Sequence, residues 1–255
     1  MKRAIVPVYQ PIVDIDTGIV LHYEALARVR NGVGQLERLI EAGEVVGFID
    51  LIDIAMLEHV VEALHGNPCS VVAVNVSGAT IDRSCNEILA VIFKNMEFMR
   101  RVVFEITETS EIRDLKMLDR FIRSVRLLNA RVALDDFGTG YCTLKLVELT
   151  KPEFVKLSGD IVHKLDATGD VTAVREVCDL VRGNGGEIIA EHIDTKEKSD
   201  TLRALDIRYL QGFYVGGFFS ELPGGDGIVG SNHPSMLPGS IRLVGRLNMS
   251  LGSNL

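Results

Sequence analysis

Short apolar runs along this chain end, one after another, in a polar or charged residue: Glu24, Asn75, Glu105, Asp135, Lys156, Glu191 and Gln211. A single polar strand end means little. A series of them, separated by helix-length stretches, predicts repeated strand and helix units that deliver these side chains to one end of a barrel. The strongest case is Leu134-Asp135-Asp136-Phe137-Gly138-Thr139-Gly140, where two adjacent carboxylates close an apolar run and open a glycine-rich loop. Two acids there suit shared divalent cations at a barrel mouth, and the convergence points to an enzyme.

The elements follow from periodicity. Residues 4–8 and 19–26 read as extended segments around the turn Asp16-Thr17-Gly18, which predicts that the first two strands pair antiparallel. Helices are predicted over 35–42 and 50–64, the second from Ile52, Met56, Val60 and Leu64 with Leu57 and Val61 broadening the face. Further strands are predicted at 71–75, 102–105, 130–135, 153–157, 188–191 and 207–211. Between them lie predicted helices at 82–93, 114–128, 161–182 and 195–205, with a short one after Gly140. The stripe Leu115, Leu118, Ile122, Val125 and Leu128 marks a helix face packed on the barrel. The fold class is therefore α/β, a modified (β/α)8 TIM barrel with one antiparallel strand. It occupies residues 1–222, and Gly/Pro/Ser-punctuated residues 223–255 form a C-terminal extension whose apolar residues include Ile241, Leu243, Val244 and Leu247.

With 255 residues, 47% of them hydrophobic, the chain can bury one substantial core. Its formal charge of −8 argues against binding long nucleic-acid backbones, which favour basic surfaces. A small anionic substrate remains compatible if metal neutralises it locally. Cys69, Cys85, Cys142 and Cys178 are too far apart for ligand spacing and read as free thiols. The first ten residues lack the apolar length of a secretory signal, and charges interrupt every apolar stretch. The expectation is a cytoplasmic protein without membrane insertion.

Taken in order, Tyr9-Gln10-Pro11-Ile12, Glu24-Ala25-Leu26-Ala27-Arg28, Asn75-Val76-Ser77, Glu105-Ile106-Thr107-Glu108, the Asp135–Gly140 loop, Lys156, Ala190-Glu191 and Gln211-Gly212 resemble the EAL family of bacterial cyclic-di-GMP phosphodiesterases. The ordered combination is far more specific than any one motif. The resemblance implies a modified TIM barrel, hydrolysis of one phosphodiester bond of cyclic-di-GMP to linear pGpG, and dependence on Mg²⁺ or Mn²⁺. By resemblance, Glu24, Asn75, Glu105 and Asp135 hold one ion, while Asp135, Asp136 and Glu191 support a second. Glu191 is the candidate to position or deprotonate water, and Lys156 to orient water or stabilise phosphate. Glu108 is implied to anchor the loop after Asp136. Gln10, Arg28 and Gln211 are the candidate substrate contacts, with Arg28 toward phosphate. Tyr9 is read as a packing residue near the rim, and a homodimer is a further implication.

Four positions depart from the family pattern. His192 stands where glycine is usual, Asp194 where glutamate is, Ser158 where aspartate is, and Phe218 where proline is. The first strand also opens close to Met1, without the helix that commonly precedes it. These departures leave an alternative reading open: a catalytically inactive cyclic-di-GMP receptor, or a barrel kept for protein interaction.

Overall fold

The computed structural model describes residues 2–30, 40, 42–43, 46–107, 112–138 and 143–224. The helix predicted over 35–42 lies mostly outside the described residues. So do Glu108, Thr139, Gly140, Cys142 and all but the first two residues of the predicted 223–255 extension. Eight strands close a barrel in sequence order: β1 (Ile5–Asp14), β2 (Val20–Val29), β3 (Val72–Ser77), β4 (Val102–Thr107), β5 (Arg131–Phe137), β6 (Phe154–Leu157), β7 (Glu187–Ala190) and β8 (Tyr209–Gln211). β1 runs antiparallel to both its neighbours, β2 and β8, and every other pairing is parallel.

The predicted turn begins this arrangement. Asp14 Oδ1 accepts from the Asp16 amide at 2.9 Å, and Gly18 takes the left-handed backbone (φ +73°) that the tight reversal needs. Around the barrel run α1 (Ile49–Gly66), α2 (Gly78–Lys94), α3 (Leu115–Leu127), α4 (Leu144–Thr150), α5 (Gly159–Thr168), α6 (Thr172–Gly183) and α7 (Lys196–Arg203). Helix starts are capped where the sequence offers a short polar residue: Ser77 before α2, Asp114 before α3, Thr143 before α4 and Thr195 before α7. The predicted α1 face is buried in full. In α3, Leu118, Phe121, Ile122 and Val125 are buried, whereas Leu115 in the first turn is 47% exposed, so the predicted stripe is one residue too long at its start. The single helix predicted over 161–182 is two: Gly169, left-handed at φ +67°, ends α5 before α6 begins. No described helix is long and apolar enough to cross a membrane.

Alternation along the strands sorts the barrel interior into layers. Ile12, Ala73, Val103, Ala133, Phe154, Ile189 and Tyr209 form one buried apolar cluster. Two residues further along each parallel strand, on the same inner face, stand Asn75, Glu105, Asp135, Lys156, Glu191 and Gln211. On antiparallel β1 the order inverts, with Gln10 following the same rule two residues before Ile12. The register pairs Gln10 with Glu24 and Ile12 with His22. Thus β2 puts Glu24 into the polar layer and His22, instead of an apolar residue, into the layer beneath.

Candidate active site

Lys156 occupies the middle of the polar layer. Its ammonium lies 3.0 Å from Glu24 Oε2, 2.9 Å from Glu105 Oε2, 3.0 Å from Asp135 Oδ1 and 2.6 Å from Glu191 Oε1. The residue is 1% exposed. Such burial alone would strip the proton, but the four carboxylates outweigh it and hold the Lys156 pKa well above its ordinary value. Burial pushes Glu105 well up, Asp135 up, and Glu191 up to about 8. Glu24 goes the other way. Burial would raise it, yet Lys156 and hydrogen bonds from Gln211 and Asn75 together hold it below the usual carboxylate range. One ammonium against four buried carboxylates leaves an excess of negative charge that only protons or further cations can neutralise.

Asp135 and Asp136 are consecutive, so strict alternation would send them to opposite faces of β5. The strand avoids this: the β5–β6 register shifts between Leu134 and Phe137, and Asp136 adopts a left-handed backbone (φ +53°). Aspartate tolerates that conformation better than most residues. Two groups of carboxylates result, Glu24–Glu105–Asp135 and Asp135–Asp136–Glu191, each with oxygens within 4.8 Å of one another. Asn75 Nδ2 donates to Glu24 Oε1 at 3.0 Å, leaving Asn75 Oδ1 buried without a hydrogen-bond partner among the described residues, as is Glu105 Oε1. An all-oxygen donor set that includes the unpartnered Asn75 oxygen fits hard divalent cations such as Mg²⁺ or Mn²⁺ and not a thiolate-type metal.

Above this cluster opens a cleft of about 450 Å³. Gln10 and Gln211 both line it, and Gln211 Nε2 donates to Glu24 Oε2 at 2.7 Å and to Gln10 Oε1 at 3.2 Å. Gly212 is what lets β8 come so close. At φ +149°, a Cβ there would meet the Ile193 carbonyl oxygen at 2.2 Å. Arg28 is not among the cleft-lining residues. It lines a smaller neighbouring pocket with Asn75 and Asp136, and its guanidinium lies over the Phe218 ring at 5.1 Å. Tyr9 is buried on the outer side of β1 and bridged to Phe219, in line with a packing role.

The departures from the family pattern have distinct physical settings. His192 takes the left-handed conformation (φ +56°) in which glycine is unstrained, with its ring against Gly159. Asp194 lines the cleft and pairs with Lys198 at 2.8 Å. Ser158 Oγ is buried with no hydrogen-bond partner among the described residues. Phe218 lines the cleft and meets Phe213 edge-on at 5.5 Å between ring centres.

Sequence reasoning missed Phe213 and His163, which also line the cleft, and His22 below it. The signal for His22 was present, since a residue two before Glu24 on the same strand must share its face. Its side chain is fully buried, and burial first, then the charges of Arg131 and Lys156, pull its pKa down to about 3. The ring is neutral, and neither nitrogen has a hydrogen-bond partner among the described residues.

A closed α/β barrel with an oxygen-lined acidic centre for divalent cations at its mouth is the class that fold and site define. The chain belongs to the EAL domain family, which matches residues 2–217. It is 24% identical over 206 residues to the cyclic di-GMP phosphodiesterase PdeF of Escherichia coli K12, covering 77% of this chain and 28% of PdeF. The chain thus spans less than a third of that relative's length. Among solved structures, the PaMucR phosphodiesterase in complex with c-di-GMP superposes with a TM-score of 0.74 at 23% identity, covering 86% of this chain and 93% of the other. Klebsiella pneumoniae BlrP1, in a manganese and cy-diGMP complex, gives 0.72 at 21% identity, covering 85% and 56%. At these identities the superpositions establish the shared fold.

Proposed function

We propose that the chain hydrolyses cyclic-di-GMP to linear pGpG with two divalent ions, Mg²⁺ or Mn²⁺. The observation that carries this reading is the convergence of Glu24, Asn75, Glu105, Asp135, Asp136 and Glu191 around Lys156 at the floor of the cleft. Membership of the EAL family and the names of the relatives support the choice of substrate.

In this reading Glu24, Asn75, Glu105 and Asp135 hold one ion, and Asp135, Asp136 and Glu191 hold the other. Ions held by these residues would supply charge neutralisation at the phosphate, a lower pKa for water and stabilisation of the leaving oxygen. Glu191 positions the attacking water or takes its proton. Lys156 keeps its proton and lends positive charge to the phosphate. Gln10 and Gln211 orient the nucleotide, and Arg28 directs its positive charge toward the phosphate.

The test is product analysis with purified protein, separating cyclic-di-GMP, pGpG and GMP under controlled Mg²⁺, Mn²⁺ or chelator. Metal-dependent accumulation of pGpG is expected, with Glu24→Ala and Glu191→Ala impaired. Tight binding of cyclic-di-GMP without turnover, in folded and metal-loaded protein, would reassign the chain as a receptor.

A further inference from the structure

We propose that His22 is a positioning residue for Glu105: its Nε2–H donates to Glu105 Oε1 and holds that carboxylate in the rotation in which Glu24, Glu105 and Asp135 converge. The inference rests on the metal-centre reading above and extends it to a residue one layer below the ligands.

Four observations carry it. His22 stands on the inner face of β2, level with a layer that the other strands fill with apolar side chains. Both its ring nitrogens are buried without hydrogen-bond partners among the described residues, an arrangement that proteins seldom keep for packing alone. A polar atom with the same deficit, Glu105 Oε1, lies 3.9 Å from Nε2. Glu105 Oε2 is already engaged by Lys156 at 2.9 Å, so the two carboxylate oxygens have separate partners available, lysine on one side and imidazole on the other.

The geometry also says which group moves. The His22 ring packs on Phe154 at 5.3 Å between centres, and Phe154 is covered in turn by the Arg131 guanidinium at 5.6 Å. A ring held in that stack stays in place, while the Glu105 carboxylate can pivot. Closing the gap to an ordinary N–H···O separation takes about 1 Å.

The experiment is titration of the purified, chelator-stripped protein with Mn²⁺ alone, followed by calorimetry, together with melting curves. His22→Leu removes the donor while keeping an apolar side chain in the layer, and its melting curve shows whether it folds. It should bind Mn²⁺ about 10–100-fold more weakly. His22→Gln, whose amide nitrogen falls near the lost Nε2, should recover most of that affinity. His22→Asn, whose shorter amide stops near Nδ1, should not, and this pair decides the matter if the leucine variant fails to fold. Equal Mn²⁺ affinity in the wild type and His22→Leu, or in the glutamine and asparagine variants, would overturn the assignment. A wild type that binds no Mn²⁺ would overturn the metal centre as well, so the two failures are distinguishable.

Discussion

Lys156 shows how one residue organises a site. Its ammonium is the common partner of four acids that share little else, and it lies 1% exposed. Replacing it by methionine leaves those carboxyls facing one another. In chelator at pH 8, Lys156→Met should lose about 3–5 kcal/mol in urea denaturation. The loss should shrink near pH 5, where the acids take up protons. Glu191 gives a second test. Burial raises its folded pKa to about 8, above the unfolded value, so the folded state binds its proton more tightly. That contribution is complete below the unfolded pKa and is lost as pH rises through about 8. Metal-free stability should therefore fall between pH 5 and 9 by up to about 1.4 kcal/mol per pH unit for this group. Denaturation curves of Glu191→Gln across that range should be flatter.

Among elements, the barrel is tied to its coat by groups that serve backbone geometry. Asp53 on α1 is buried and accepts from the Ser77 amide at 2.8 Å and from Thr80 Oγ1 at 2.5 Å, joining α1 to the start of α2. Burial raises its pKa to about 6 despite those hydrogen bonds. Its proton is again held more tightly in the folded state, so this contribution is lost as pH rises from the unfolded pKa through about 6. Asp53→Asn keeps an accepting oxygen and should lessen the slope below about pH 6 while leaving the Glu191 contribution above it unchanged, as pH-resolved denaturation would detect. At the other end of the chain, Gly212 lets β8 lie against the segment after β7. Gly212→Ala should cost about 3 kcal/mol or prevent folding, because its Cβ would strike Ile193 backbone and not a flexible side-chain tip. Circular-dichroism melts check this. The β5 bulge and the break at Gly169 were hidden from sequence reasoning for a related reason. A periodic pattern shows which residues face inward, but a register shift depends on the partner strand, and a helix break on where the next segment packs.

For the whole molecule, the acidic mouth makes stability a function of cations. Mn²⁺ at a hundred times its dissociation constant should stabilise the fold by about 2.7 kcal/mol, and chelator should reverse this in thermal-shift measurements. No shift in Tm at any Mn²⁺ concentration would contradict a preformed centre. Much of the architecture was legible in the chain: short apolar runs marked the strands, Asp16-Thr17-Gly18 marked the antiparallel entry, and the polar strand ends marked one face of a barrel. These are local properties, set by backbone sterics and side-chain hydrophobicity within a few residues. Tertiary structure alone decided the rest. It turned Asp135 and Asp136 to the same site, placed Lys156 at the centre of four carboxylates, set Arg28 over the Phe218 ring and buried His22 beneath Glu105. Charge balance, pKa and the partners of a buried polar atom depend on groups brought together from distant parts of the chain, and barrel closure brings them together.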